Sequence, residues 1–195
     1  MRSPALCLLA LLPALAPAQE VAGEARAKAE VPFASRNFGN LRVGGSTANG
    51  NGRPELCLEL SPVAFLSLEG CGTGSGFLHG DPEPEVAHFR AKLRLLSLEV
   101  REWGTLQPFL AAGLAEAQVG EDDPGLQLGG TDARRVSTAG PEVGLGLRFL
   151  RPLASGFELV GDFNLGMAWL PHAPELVKPG DTLLPSASLS FGVGF

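Results

Sequence analysis

Three observations predict an all-β chain folded as an eight-stranded antiparallel up-and-down transmembrane β-barrel. Apolar residues recur at every second position through most of the chain beyond residue 37, the period of strands with two unlike faces. After the amino terminus no apolar run approaches the ~20 residues of a membrane helix, so a chain that enters lipid must do so as a closed barrel. The connections between alternating segments are short and long by turns, as in bacterial outer-membrane barrels, whose strand number is even.

Composition agrees with this class. A chain of 195 residues suits one domain of ordinary size. Charged residues make up 18%, with 26 Gly and 16 Pro, which excludes a long helical bundle or coiled coil. An apolar share of 45% excludes a mostly disordered acidic chain. The net charge of −6 argues against nucleic acid as a partner.

Residues 1–18 have the form of a secretory signal peptide. Arg2 supplies the positive start, residues 7–12 lie in the apolar stretch, and Ala16-Pro17-Ala18 is an A-x-A cleavage site. Pro13 and Pro17 interrupt the stretch, which is too short to anchor in a membrane. No cysteine stands at the cleavage site, which speaks against a lipid-modified amino terminus. Residues 19–37 are Ala- and Glu-rich without a sustained face and read as a flexible leader, leaving 38–195 for the barrel. Cys7 departs with the signal, so Cys57 and Cys71 form an even pair in an oxidising compartment, and a disulfide is expected. Two cysteines without nearby histidines make no zinc site.

Strands are expected at 38–47, 54–61, 64–72, 86–100, 105–119, 137–150, 156–169 and 182–195. If the second and third pair about Ala64, Cys57 falls opposite Cys71, Leu60 opposite Leu68 and Leu58 opposite Gly70. That register also sets Glu59 against Glu69, which counts against it unless an arginine lies between them; the alternative is that the two cysteines lie only in nearby loops. In the fourth, Phe89, Ala91, Leu93 and Leu95 alternate with Arg90, Lys92 and Arg94, and the pair Leu95-Leu96 shifts the phase, which marks a bulge. The fifth is ambiguous in phase because Ala and Gly occupy both faces. In the sixth, Val143, Leu145, Leu147 and Phe149 alternate with Gly144, Gly146 and Arg148. The seventh sets Leu159, Phe163, Leu165, Met167 and Trp169 against Glu158, Asp162 and Asn164. The last places Leu189, Phe191, Val193 and Phe195 on one face and Ser186, Ser188, Ser190 and Gly192 on the other. After the first connection, short and long ones alternate strictly. The long ones hold Asp81-Pro82-Glu83, Glu121-Asp122-Asp123-Pro124-Gly125 and Leu170-Pro171-His172.

Three stretches resemble a known family. Leu106-Gln107-Pro108-Phe109-Leu110-Ala111-Ala112-Gly113-Leu114 is similar to the central strand of the small outer-membrane β-barrel superfamily that contains the OmpA transmembrane domain and OmpX. Gly140-Pro141-Glu142-Val143-Gly144-Leu145-Gly146-Leu147-Arg148 is similar to the Gly-alternating strand that follows it. Residues 188–195 resemble the terminal signal read by the barrel-assembly machinery, with Phe191, Val193 and Phe195 at its apolar positions. The resemblance implies an outer-membrane location, membrane lipid as the surroundings, the assembly machinery as a partner during biogenesis, and a leader in the periplasm. The chain departs from the family in having no Tyr, so that Trp103, Trp169 and 11 Phe must serve as interfacial aromatics. It also has Ser190 where Gly is usual and Val193 where an aromatic is preferred.

Chemistry is sparse. His79, His88 and His172 lack the His-x-Ser pattern of a lipid deacylase and read as surface histidines without a role. Gly72-Thr73-Gly74-Ser75-Gly76 lacks the Lys and the helix of a phosphate loop. Glu121, Asp122 and Asp123 lack the alternating spacing of a calcium loop. No metal, cofactor or catalytic residue is expected.

Arg90, Lys92, Arg94, Arg148, Glu158 and Asp162 would share the inner face as a lumen charge network. Eight strands leave an interior just filled by side chains, so these charges must pair. They form either a plug or a narrow path for ions and small solutes. The expected function is that of a non-enzymatic outer-membrane barrel with a structural role or a binding role through its loops, the ligand being open. The alternative is a secreted soluble barrel, like a lipocalin, with an apolar ligand inside. The arginine-bearing face separates the two, since a lipocalin would turn it to water.

Overall fold

The computed structural model describes residues 38–50, 52–74, 84–120, 126, 128, 130, 131, 136–153, 156–176 and 181–195. The expected signal peptide and leader, His79 and the acidic tip at Asp122 and Asp123 lie outside the described residues. The strands are β1 (Gly39–Ser46), β2 (Glu55–Val63), β3 (Leu66–Gly72), β4 (Glu85–Arg94), β5 (Leu98–Val100), β6 (Gly104–Gln118), β7 (Ser137–Pro152), β8 (Glu158–Trp169) and β9 (Leu183–Gly194), with one helical turn, α1 (Ala173–Leu176), before the last. All pairings between them are antiparallel. β4 pairs with β6, and β9 returns to β1, so eight strands close into a ring with β5 as the continuation of β4. Closure gives each of the eight strands a partner on both sides, while the short β5 pairs on one side only, with β6. The seam is held by Asn40 opposite Gly194 through Ser46 opposite Ser188, with Phe195 N–H donating to the Gly39 carbonyl at 2.9 Å.

The expected registers are observed. Cys57 stands opposite Cys71, Leu60 opposite Leu68, and Glu59 opposite Glu69. The expected phase shift at Leu95-Leu96 is a break in which residues 95–97 oppose only Gln107 and Pro108. Proline explains its position. Leu95 N–H donates to the Pro108 carbonyl at 3.0 Å, and Pro108 has no N–H to return on that side, so the ladder loosens where it lacks a donor. The β2–β3 pair shifts register between Leu60 and Val63, around Pro62, for the same reason.

The connections sort by side. Those at one end, 47–54, 73–84, 119–136 and 170–182, are long; those at the other, 64–65, 101–103 and 153–157, are short. Both ends of the barrel sequence, Phe38 and Phe195, lie at the short-turn end beside one another. No helix among the described residues is long and apolar enough to cross a membrane, a test that says nothing of strands.

Cys57 and Cys71 are joined by a disulfide across directly opposed, inward-facing positions. Closing a loop of this length contributes about 3 kcal/mol to stability. Replacing both cysteines with serine is expected to lower the urea unfolding free energy by about 1–3 kcal/mol. Because the sulfurs are buried, a reductant should change the gel mobility of the wild type only after unfolding. A native protein reduced as fast as the unfolded one would contradict the inward placement.

Candidate functional site: the charged lumen

The interior is polar and the exterior apolar, the inverse of a water-soluble fold. Arg42 and Lys92 are 1% exposed, while Leu145 is 56% and Phe191 57% exposed. Strand alternation produces this directly, since every polar residue of one parity points inward.

Each of the eight barrel strands sends one side chain into a central layer: Arg42, Glu59, Glu69, Lys92, Phe109, Arg148, Asp162 and Ser190. Oxygens of Glu59, Glu69 and Asp162 converge to within 4.8 Å of one another, and three cations interleave them. Arg42 pairs with Glu69, with Glu59 at 3.0 Å and with Asp162 at 3.0 Å. Its Nε donates to Asn40 Oδ1 at 2.7 Å and its Nη1 to Ser190 Oγ at 3.1 Å. Lys92 Nζ reaches Glu69 at 2.5 Å, Asp162 at 3.1 Å and Glu59 at 3.6 Å. Arg148 donates to Asp162 through Nε at 3.0 Å and Nη2 at 2.7 Å, and to both oxygens of Glu59. Each carboxylate therefore faces at least two cations, the condition under which buried charges are tolerated. The three carboxylates are neutralised by these side chains, which removes the electrostatic reason for a metal. The second acidic grouping, Glu55 with Cys57 and Cys71, has its sulfurs tied in the disulfide.

Phe109 lies across the layer, with Lys92 Nζ 4.6 Å and Arg148 Cζ 5.9 Å from the ring centroid, in reach of cation–π attraction. Its partner Gly146 makes room, because a Cβ there would stand 2.3 Å from the ring.

On the long-loop side of the layer, Glu142 accepts from Arg90 Nη2 at 2.8 Å and Nε at 3.1 Å, and meets His88 Nδ1 at 3.0 Å. Above it a small apolar cluster of Val86, Ala115, Ala117, Ala168, Leu170 and Ala173 spans strand ends and α1. On the short-turn side, Arg94 donates to the Ala64 carbonyl at 2.8 Å and Ser61 Oγ at 2.6 Å. A narrow hollow without room for a water molecule lies among Lys92, Arg94, Gln107, Phe109 and Arg148.

Five of the six expected lumen residues, Arg90, Lys92, Arg94, Arg148 and Asp162, are buried together. Glu158 sits half-buried at the short-turn end of β8, electrostatically coupled to Arg94. Phe191, Val193 and Phe195 share the exposed outer face. The arginine required between Glu59 and Glu69 is Arg42, which sequence reading had not located, although its place between Leu41 and Val43 is the signal. Glu142 was missed, although it has the same inward parity on β7 as Gly144, Gly146 and Arg148. His88, read from sequence as a surface histidine, is 1% exposed. It shares the parity of Arg90, Lys92 and Arg94, and that alternation carries it inward. His172 lies beside Glu175 at 2.7 Å.

The same inversion overturns the soluble lipocalin alternative, which needs the charged face in water and the apolar face inside. The protein is a closed eight-stranded antiparallel β-barrel with an apolar exterior and a charged interior.

No family model matches the chain, and no curated protein matches it. Among solved structures, it is similar to the N-terminal β-barrel domain of Pseudomonas aeruginosa OprF, at 13% identity over 80% of this chain and 95% of that one, with a TM-score of 0.47. Neisserial surface protein A matches at 12% identity over 80% and 92%, TM-score 0.49. Ail, the attachment invasion locus protein of Yersinia pestis, matches at 14% identity over 81% and 97%, TM-score 0.36. At these identities nothing passes from those proteins to the side chains of this lumen.

Removing Arg42 should leave Glu59 and Glu69 opposed in the interior. Arg42→Met is expected to cost about 3–5 kcal/mol of unfolding free energy, measured by urea titration in detergent micelles. Adding Glu69→Gln to it should recover part of the loss. Separately, Gly146→Val should displace Phe109 and lower stability by about 1–3 kcal/mol through overpacking; no change would mean that the ring does not lie on Gly146.

Proposed function

We propose that this protein is a non-enzymatic outer-membrane β-barrel whose lumen is plugged by its own charged side chains, with a structural role or a binding role carried by its long loops. Residues 1–18 direct export and 19–37 form a leader on the periplasmic side. The observation that carries the reading is the apolar exterior. Outward positions Leu41, Leu58, Leu68, Leu110, Leu145 and Phe163 are all exposed, and such a continuous apolar surface is far larger than a soluble monomer presents. In lipid it is the ground state, with the strands hydrogen-bonded to one another around the closed ring.

Three features support a plug. The central layer draws on every barrel strand, the hollow beneath it is too narrow for water, and the apolar cluster with fully buried Leu170 lies above it. A non-enzymatic role is supported by the described histidines, which meet the carboxylates Glu142 and Glu175 and not a nucleophile that they could activate.

The test is gel migration of unboiled and boiled protein from isolated outer membranes, beside a variant lacking Phe195. A boiling-dependent shift with membrane recovery, both reduced in the variant, is expected. Soluble protein without a shift would sink the membrane reading. Swelling of vesicles carrying the purified barrel in a small sugar should match that of empty vesicles; faster swelling would replace the plug with a pore.

A further inference from the structure

The short-turn rim carries a cation stacked on an aromatic ring at the edge of the apolar exterior. Arg151 follows Phe149 and Leu150 on β7, has the outward parity of Leu147 and Phe149, and is exposed. Its guanidinium carbon lies 6.0 Å from the centroid of Trp103, and Trp103 is 65% exposed. Among the described residues Arg151 has no ion pair. It is a cation at the end of an apolar belt, and no hydrogen bond joins its guanidinium to another described residue.

The turn that presents Trp103 is shaped to lean on β7. Trp103 N–H donates to the Val100 carbonyl at 2.9 Å, and Arg101 takes a φ of 45°. Gly104 has a φ of 142°, and a Cβ there would stand 2.1 Å from the Leu150 carbonyl oxygen. Only glycine permits that approach, and it brings the indole against the residue after Leu150. The ring holds the guanidinium by its face, which leaves a planar fork of N–H donors suited to phosphate.

We propose that Arg151 and Trp103 form a clamp for the phosphodiester headgroup of a glycerophospholipid in the leaflet on the short-turn side. The inference rests on the membrane reading above. Lipid is the source because the clamp adjoins the apolar belt: acyl chains lying on Leu106 and Phe149 bring their headgroup to Arg151. Trp at such a boundary keeps its ring at the level of the headgroups.

The test uses the full barrel refolded into vesicles of phosphatidylethanolamine and phosphatidylglycerol, with arginine guanidinium carbons isotope-labelled. Solid-state NMR dephasing of those carbons by lipid phosphorus should show a close arginine in the wild type and lose that signal in Arg151→Gln. The lumen arginines contribute nothing, being remote from phosphate. With Trp169→Phe, Trp103 is the remaining tryptophan, and its emission should shift to longer wavelength when Arg151→Gln is added. Heat-modifiable, inserted protein with dephasing unchanged by Arg151→Gln would overturn the clamp and leave the membrane reading standing. Failure of both proteins to insert would overturn the two together. An equal shift of Trp103 emission on adding inorganic phosphate to the barrel in dodecyl maltoside would overturn lipid as the source.

Discussion

Neutrality of the interior is the constraint on which the rest of the barrel depends. Carboxylates from β2, β3 and β8 and cations from β1, β4 and β7 meet in one layer, and each must find its partner from another strand. A one-residue slip of any strand would turn its charge to the apolar exterior and its leucines to the lumen. Such a slip would expose a charge where there is no water and leave its former partner unpaired inside. The ion pairs thus act less as glue, given the desolvation they cost, than as a lock on register. Backbone pairing alone would accept several registers; the charges accept one.

That lock explains what could be read from the sequence. The registers of β2 with β3 followed from two cysteines and their leucine neighbours, and the same arithmetic exposed an electrostatic conflict between Glu59 and Glu69. The conflict was itself information, because it demanded a cation that turned out to be Arg42 on a third strand. Period-two alternation placed Arg90, Lys92 and Arg94 inward without any knowledge of their partners. What stayed hidden was long-range: nothing near His88 in sequence says that it will meet Glu142, 54 residues on. The buried state of His88 was nevertheless implied by its parity, which outweighs the general preference of histidine for surfaces.

The interior is graded along its axis. A small apolar cluster with Leu170 at its centre lies toward the long loops, the charged layer lies in the middle, and Arg94 with its backbone carbonyl partner lies toward the short turns. Water is excluded from the charges on the loop side by hydrocarbon and at the centre by packing. The low dielectric that results strengthens each ion pair and equally raises the cost of breaking one.

The strands are unequal. β1, β2 and β3 have 8, 9 and 7 residues, whereas β6 and β7 have 15 and 16. At the usual rise and tilt, seven extra residues make the wall about 15 Å taller on that side. The last four residues of β6, up to Gln118, are buried on both faces, unlike the lower part of the strand, so this height is clad in protein. Among the described residues the strand wall is therefore cut obliquely at the loop end, highest along β6 and β7 and lowest along β1 to β3, so that a cylinder built of unequal staves carries its connections at different heights.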